Sequence, residues 1–561
     1  MLTTDKLSCN ILADLLVAHG VHQVILSPGS RNTPLVIAIS RHEGLTDHVV
    51  IDERSAAFIA LGMAIQTGEP VAIVCTSGTA LLNYAPAVAE AFYRRIPLVV
   101  ISADRPQEWI DQDDSQTIWQ QDALAPYVKR SCDLPSYTDF PNGKWICNRL
   151  INDILIEAVN GRKGPVHINV RLDVPLNKLV DVVPDSSRII RMISPRPELP
   201  TAEARRIGER IASPKKVLII VGFHEPDEKL NRALTKLARV SNVAVMIESI
   251  ANLHSPLFVS RIDSTLCRMD STQREAMAPD VVITAGGALV SRFVKDWLRS
   301  LDKVEHWHIG LSHTTVDCFR HLTLRIEMPP AIFFRQLASA MQIFKTPSDY
   351  GALWRSLSYK AIKVHEKYVE SSPWSDLRAF AQIIPAIPPK WNLHLSNGTP
   401  IRYAQLMDCN HIHRCDCNRG VSGIDGCSST ALGASVMYNG TTLLITGDMS
   451  CQYDLAALSS ALVTPRFKII VMCNGGGGIF RFISSTSNLP ELERYFAVGT
   501  KLPLRQLSDG YGFAYFEAHN SEELLRSFDD FASVADRPAI LAVFTPAELS
   551  AEVLKRYFQQ Q

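Results

Sequence analysis

The sequence has no excess of charge of either sign, because 57 Lys plus Arg balance 57 Asp plus Glu. A protein that tracks a nucleic-acid backbone carries a basic excess or a basic stripe, so this balance argues against a nucleic-acid partner. Long hydrophobic runs are also missing. The apolar bursts, among them Val217–Val221, Val281–Ile283 and Ile469–Met472, fall far short of the roughly 18 residues that a membrane span needs. Near the N-terminus an amphipathic pattern reaching Gly20 stands where a signal peptide would have an unbroken apolar core. Nor is there a disulfide framework: 12 cysteines scattered over 561 residues lack the dense, even spacing of a secreted scaffold. Close repeats and low-complexity tracts are absent too. These absences predict a cytoplasmic globular protein with no membrane span.

What is present is an alternation of short apolar bursts with helix-length segments. Each burst closes on Gly, Ser, Asp or Asn. Val24–Leu26 runs into Ser27-Pro28-Gly29-Ser30-Arg31, Val71–Cys75 into Thr76-Ser77-Gly78-Thr79, and Leu98–Ile101 into Ser102-Ala103-Asp104-Arg105. Continuous apolar runs are the mark of strands buried on both faces, so the fold class is α/β with parallel sheets covered by helices. Prolines between Pro184 and Pro200 set off a second block, and a less regular stretch holding Pro373, Pro385, Pro388 and Pro389 leads to a third. We therefore expect three doubly wound parallel-sheet domains, at residues 1–183, 200–345 and 355–561. Ligands in such sheets sit at the carboxyl ends of the strands, which directs attention to the polar residues closing each burst.

The third block carries the sharpest chemical pattern. One strand ends at Gly447-Asp448-Met449-Ser450 and another at Asn474-Gly475-Gly476-Gly477-Gly478, with Asn474 lying 26 residues after Asp448. That distance fits one strand–helix–strand crossover, which brings both ends to the same edge. A carboxylate, an amide oxygen and an inward-turned backbone carbonyl suit a hard cation such as Mg²⁺, and glycines let a backbone come close to a diphosphate. Two ordinary strand-to-helix turns would also read this way.

Taken with Cys417-Asn418-Arg419-Gly420-Val421-Ser422-Gly423-Ile424-Asp425-Gly426, Ser27 to Arg31, Asp52-Glu53-Arg54-Ser55 and Ser102 to Pro106, this pattern resembles the 2-succinyl-5-enolpyruvyl-6-hydroxy-3-cyclohexene-1-carboxylate synthases. These are thiamine-diphosphate-dependent enzymes of menaquinone biosynthesis. The resemblance covers the first and third blocks in order and is thin in the middle one. It implies a pyrimidine-binding, a central and a diphosphate-binding domain, and a homodimer or homotetramer with active sites between subunits. The implied cofactors are thiamine diphosphate and Mg²⁺ or Mn²⁺. The implied reaction decarboxylates 2-oxoglutarate and adds the resulting carbanion to isochorismate in a conjugate fashion.

Residue by residue, the resemblance places Glu53 on the glutamate that activates the cofactor. Gly423, Ile424, Met449, Ser450, Ile479 and Phe480 fall around the cofactor, with Ile424 propping it in a bent conformation, and Asp448, Asn474 and Gly476 fall on the metal ligands, the last through its carbonyl. Ser30, Arg31, Arg105, Gln116, Arg292, Arg402 and Arg419 fall on substrate-binding positions. Planar guanidinium groups suit two dicarboxylate substrates. Plainer readings exist for each: Glu53 as an acid opening the helix Arg54–Ile65, Ile424 as core, any one arginine as a surface ion pair. The family often has a lysine where this chain has Ser291, a serine where it has Gly398, and an asparagine where it has Cys473. Another thiamine-diphosphate 2-oxoacid decarboxylase or carboligase, or a non-catalytic binder of the cofactor, is the alternative.

Two patterns are set aside. Cys409, His411, His413, Cys415 and Cys417 alternate and would share one face of a strand, but they lack the Cys-x₂-Cys knuckle of a zinc site and read as buried reduced cysteines. Gly286-Gly287 is not part of a full Gly-x-Gly-x-x-Gly, so it predicts no nucleotide site.

Overall fold

Alternate residues of the strand Val217–Val221 belong to different cores. Val217, Ile219 and Val221 pack with the helices Thr201–Ile211, Glu228–Leu237 and Pro330–Met341. Leu218 and Ile220 pack with Ile262–Leu266, Arg292–Arg299 and Tyr350–Ser371. The neighbouring strands Val243–Ile247 and Val281–Ala285 divide the same way. A strand with period-2 side chains and helices on both faces has no polar face, which is why these bursts are uninterrupted.

The structure, a computed structural model, describes residues 2–138, 140–181, 187–212, 215–341, 347–499 and 501–559. Three main sheets appear, parallel in every pairing resolved. The first runs in the order Thr46–Val49, Gln23–Leu26, Val71–Cys75, Leu98–Asp104, Val166–Arg171, Ser131–Leu134. The second orders Val243–Ile247, Val217–Val221, Val281–Ala285, Glu305–Ile309, Leu322–Ile326. The third orders Arg414–Cys417, Asn392–Leu395, Thr442–Gly447, Phe467–Cys473, Ala539–Phe544, Ala514–Ala518. Leu2–Thr4 and Leu179–Asp181 add a small antiparallel pair. The doubly wound α/β class read from the sequence is the class observed.

By compactness the chain forms two units. The first comprises Met1–Ser194, Asn418–Thr442 and Tyr453–Phe467; the second comprises Pro195–Cys417, Leu443–Gln452 and Lys468–Gln561. Segments of the third sequence block join the first unit because two helices meet there backbone to backbone. A Cβ on Gly62, in the helix Glu53–Thr67, would lie 1.9 Å from the carbonyl oxygen of Thr430, and one on Gly433, in the helix Cys427–Met437, 1.9 Å from that of Ile59. Only glycine permits so close a crossing. The ends expected at residues 183 and 345 lie outside the described residues, as does Pro184.

Two local expectations change. The helix begins at Glu53 rather than Arg54 and runs to Thr67, because the Asp52 carboxylate caps it by accepting from Ser55 N at 2.9 Å. The alternating Cys/His segment is a strand only over Arg414–Cys417. Upstream, Asp408 accepts from Asn410 N at 3.0 Å and turns the chain, so Cys409, His411 and His413 are off the strand. Cys409, Cys415 and Cys417 are buried and form no disulfide among the described residues.

Two buried histidines make the fold acid-sensitive. His167 meets Ser102 Oγ at 2.8 Å and burial pulls it down to about 4; His365 meets Tyr557 Oη at 2.9 Å and burial pulls it down to about 3. Each stays neutral in the folded chain while the unfolded chain takes up a proton below about 6.5. Stability is therefore lost as pH falls from about 6.5 toward 4, by about 1.4 kcal/mol per pH unit for each histidine. Denaturant titrations between pH 7 and 4.5 should show this decline, and His365→Gln should shed one proton's worth of slope. An unchanged slope would contradict the assignment.

Candidate active site

In the first unit the candidates gather at the carboxyl ends of central strands. Arg31 follows the strand Gln23–Leu26, is buried, and donates through Nη1 to Leu172 O at 3.1 Å. Burial, and next the charge of Arg105, pull its guanidinium below the ordinary value, so two cations converge. Arg105 follows the strand Leu98–Asp104. It pairs with Asp114 at 2.6 Å and donates to Ser115 O at 2.9 Å, which folds the loop carrying Gln116 back onto it. Gln116 has φ +60° and lies against Gly78. Ser30 is exposed beside Arg31, its carbonyl accepting from Thr33 Oγ1 at 2.8 Å. Ser30, Arg31, Arg105 and Gln116 thus come from loops after the two strands that flank Val71–Cys75 in the sheet.

Glu53 opens its helix half-buried, with Oε2 accepting from Asn83 Nδ2 at 3.4 Å. Its charge helps push up the buried Cys75 thiol and Tyr84 hydroxyl, although burial is the larger cause for both. Ser55 Oγ meets Ser429 Oγ at 2.7 Å, and Ser429 N and Oγ donate to Asp454 at 2.7 and 2.8 Å. The helix of Glu53 is thereby tied to the helix that follows Gly423 and Ile424.

The block holding Arg419, Gly423 and Ile424 is anchored by a residue that sequence reading did not single out. Glu90, buried in the helix Ala85–Arg94, accepts from Gly420 N and Val421 N, both at 2.7 Å. Burial pushes its carboxyl up, against Arg94 and these two bonds. Removing the carboxylate in Glu90→Ala orphans two N–H groups and should cost about 2–4 kcal/mol. Thermal melting should show the loss, and hydrogen exchange should show Gly420 and Val421 losing protection. Unaltered protection at both amides would refute the anchoring role.

In the second unit, Asp448 opens the helix Asp448–Tyr453, and its carboxylate holds the glycine loop. Oδ2 accepts from Gly475 N and Gly476 N, each at 3.0 Å, and Oδ1 from Met449 N at 2.8 Å. Three consecutive left-handed glycines make this possible: Gly475, Gly476 and Gly477 have φ +80°, +84° and +52°. Asn474 is buried and donates through Nδ2 to Asp376 Oδ2 at 2.9 Å. That bond leaves the amide oxygen of Asn474 without a donor among the described residues. Asp376 is fixed in turn by Thr545 Oγ1 and by its own N–H on Ser550 Oγ at 3.0 Å, and burial pushes its carboxyl up. The Gly476 carbonyl accepts from Arg481 Nη1 at 2.7 Å, and Arg481 also grips Glu493 through Nε and Nη2 at 3.0 and 2.7 Å. One lone pair of that carbonyl remains. Ile479 and Phe480 follow at once in the helix Gly478–Phe482, and Phe480 packs on Phe496 at 5.8 Å between ring centres. Ser450 is buried beside Asp448.

Arg292 and Arg402 meet elsewhere in the second unit, in the lining of a cavity of about 370 Å³. Ser291, preceding Arg292, is turned inward: it caps the helix Arg292–Arg299, donates to Asp263, and gives its N–H to Glu248 Oε1 at 2.8 Å. Gly398 has φ +99°, where a serine would be strained, and its carbonyl accepts from Arg402. Glu90 and Asp376 carried no sequence signal, being single acids distant along the chain from what they hold, and Arg481, though near Gly476 in sequence, reads as an ordinary helix arginine.

Residues 9–124 match the family described as Thiamine pyrophosphate enzyme, N-terminal TPP binding domain. Over nearly its whole length the chain is similar to curated proteins named 2-succinyl-5-enolpyruvyl-6-hydroxy-3-cyclohexene-1-carboxylate synthase. It is 40% identical to that of Porphyromonas gingivalis, covering 99% of this chain and 97% of the relative. It is 36% identical to that of Flavobacterium johnsoniae over 98% of each, and 35% identical to that of Bacteroides thetaiotaomicron over 99% of each.

Proposed function

The chain belongs to the 2-succinyl-5-enolpyruvyl-6-hydroxy-3-cyclohexene-1-carboxylate synthases, and on that premise we propose that its residues divide between a diphosphate–metal site, a proton-holding glutamate and a set of carboxylate-binding arginines. The substrates of this reading are 2-oxoglutarate and isochorismate. The cofactors are thiamine diphosphate and Mg²⁺ or Mn²⁺. When bound, thiamine diphosphate supplies the electron sink for loss of CO₂ from a 2-oxo acid and for the carbon–carbon bond that follows.

The residues of the glycine loop fit a hard cation. Asp448, the amide oxygen of Asn474 and the carbonyl of Gly476 are all oxygen donors, the set Mg²⁺ prefers; Asp448 holds from outside the loop that carries the other two, and the glycines of that loop leave room for a diphosphate. The observation that carries the reading is the bond from Asn474 to Asp376: it commits the amide N–H₂ group and leaves the oxygen for a cation. Met449, Ser450, Gly423, Ile424, Ile479 and Phe480 would surround the cofactor and exclude water. Glu53 holds a proton at its carboxyl and offers it to the aminopyrimidine ring nitrogen. Ser30, Arg31, Arg105, Gln116, Arg292, Arg402 and Arg419 bind and orient the carboxylates. Arg31 starts unpaired among the described residues, whereas Arg105 must exchange Asp114 for substrate.

The reading includes pyrimidine-binding, central and diphosphate-binding domains at 1–183, 200–345 and 355–561, a homodimer or homotetramer with sites between subunits, and a cytoplasmic location. No helix among the described residues is long and apolar enough to cross a membrane. Consumption of isochorismate in the presence of 2-oxoglutarate and both cofactors tests the reading.

A further inference from the structure

The cavity holding Arg292 and Arg402 has a third cation, from the far end of the chain. Lys555, in the C-terminal helix Ala547–Gln559, lines the same space. It is half-buried and forms no ion pair among the described residues, and Arg292 forms none either. Its helix neighbour Arg556 takes Glu552, the acid one turn before Lys555. Of the acids in the lining, Asp296 pairs with Arg299 at 3.5 Å, and Asp263 accepts from Ser291. The rest of the wall is apolar: Phe558 packs on Phe293 at 4.9 Å and on Phe482 at 5.7 Å between ring centres. An apolar wall rimmed by separate cations fits a carboxylate on a short hydrocarbon stem, and the volume is that of a small-molecule site.

We propose that Lys555 is a substrate-binding residue that, with Arg292 and Arg402, clamps a substrate carboxylate. This rests on the function proposed above. Both substrates carry such a carboxylate, so the test separates them. In Lys555→Met, the KM of either 2-oxoglutarate or isochorismate should rise about tenfold or more, the size of one lost charge-assisted bond, while kcat stays within about twofold. Lys555→Arg should restore most of the affinity, which a merely structural residue would not require. Calorimetric titration with glutarate, a dicarboxylate that cannot react, gives a readout independent of turnover: it should bind the wild type and bind Lys555→Met about tenfold more weakly. Equal glutarate affinity and two unchanged KM values would overturn the assignment. Lysine-dependent glutarate binding in a wild type that consumes no isochorismate would instead uphold the clamp and overturn the proposed function.

Discussion

Glu53→Gln is expected to lower turnover by about 10³-fold while leaving thiamine diphosphate affinity within a few-fold of wild type. The substitution is nearly isosteric. Its amide oxygen can still accept from Asn83, and the helix keeps its cap at Asp52, so the fold has no reason to change. What disappears is a group able to hold and return a proton. Glu53 is suited to that task by its place: it is half-buried at a helix start, beside the buried Cys75 and Tyr84, with one long hydrogen bond and no cationic partner among the described residues. Calorimetry for cofactor affinity and a single-turnover assay for rate separate the two effects. Turnover within tenfold of wild type would show that Glu53 does not serve as the proton-holding group.

Asp448→Ala is expected to weaken Mg²⁺-dependent binding of thiamine diphosphate by at least about 100-fold. Two losses combine. The variant removes a charged oxygen donor, and it releases the N–H groups of Gly475 and Gly476, now held at 3.0 Å each. Loops built from three left-handed glycines gain much freedom when released, so the second loss is entropic as well as enthalpic. Asp448→Asn separates the contributions, since its amide oxygen can still accept from the loop but carries no charge. It should retain loop protection in hydrogen exchange and lose most of the metal dependence. Equal cofactor affinities in wild type and Asp448→Ala, with and without Mg²⁺, would remove the diphosphate–metal site from this loop.

Strands buried on both faces announce themselves, and Val71–Cys75, Val217–Val221 and Val243–Ile247 run between the very residues where the apolar bursts begin and end. The loop residues closing those strands were legible for the same reason: a polar residue after an uninterrupted apolar run stands at a sheet edge. Asp448 and the glycines of 475–478 belong to this class. The supporting carboxylates do not. Glu90 sits in a helix where an acid reads as a solvated face, and its partner Gly420 is 330 residues away. Asp376 opens a helix, where an acid is routine, and its hold on Asn474 exists only in the folded chain. The Cys/His alternation holds as a strand only over Arg414–Cys417, because upstream a side-chain bond at Asp408 turns the chain, and its cysteines are buried, as the missing knuckle spacing implied. The two compact units were likewise hidden, since they depend on a crossing of helices that Gly62 and Gly433 allow.

Mixing the purified protein with 2-oxoglutarate, isochorismate, thiamine diphosphate and Mg²⁺ and following isochorismate shows whether this chain joins decarboxylated 2-oxoglutarate to isochorismate. Isochorismate should disappear as CO₂ is released in equal amount, and omitting either 2-oxoglutarate or thiamine diphosphate should stop both. Calorimetrically verified cofactor binding with no loss of isochorismate would contradict it.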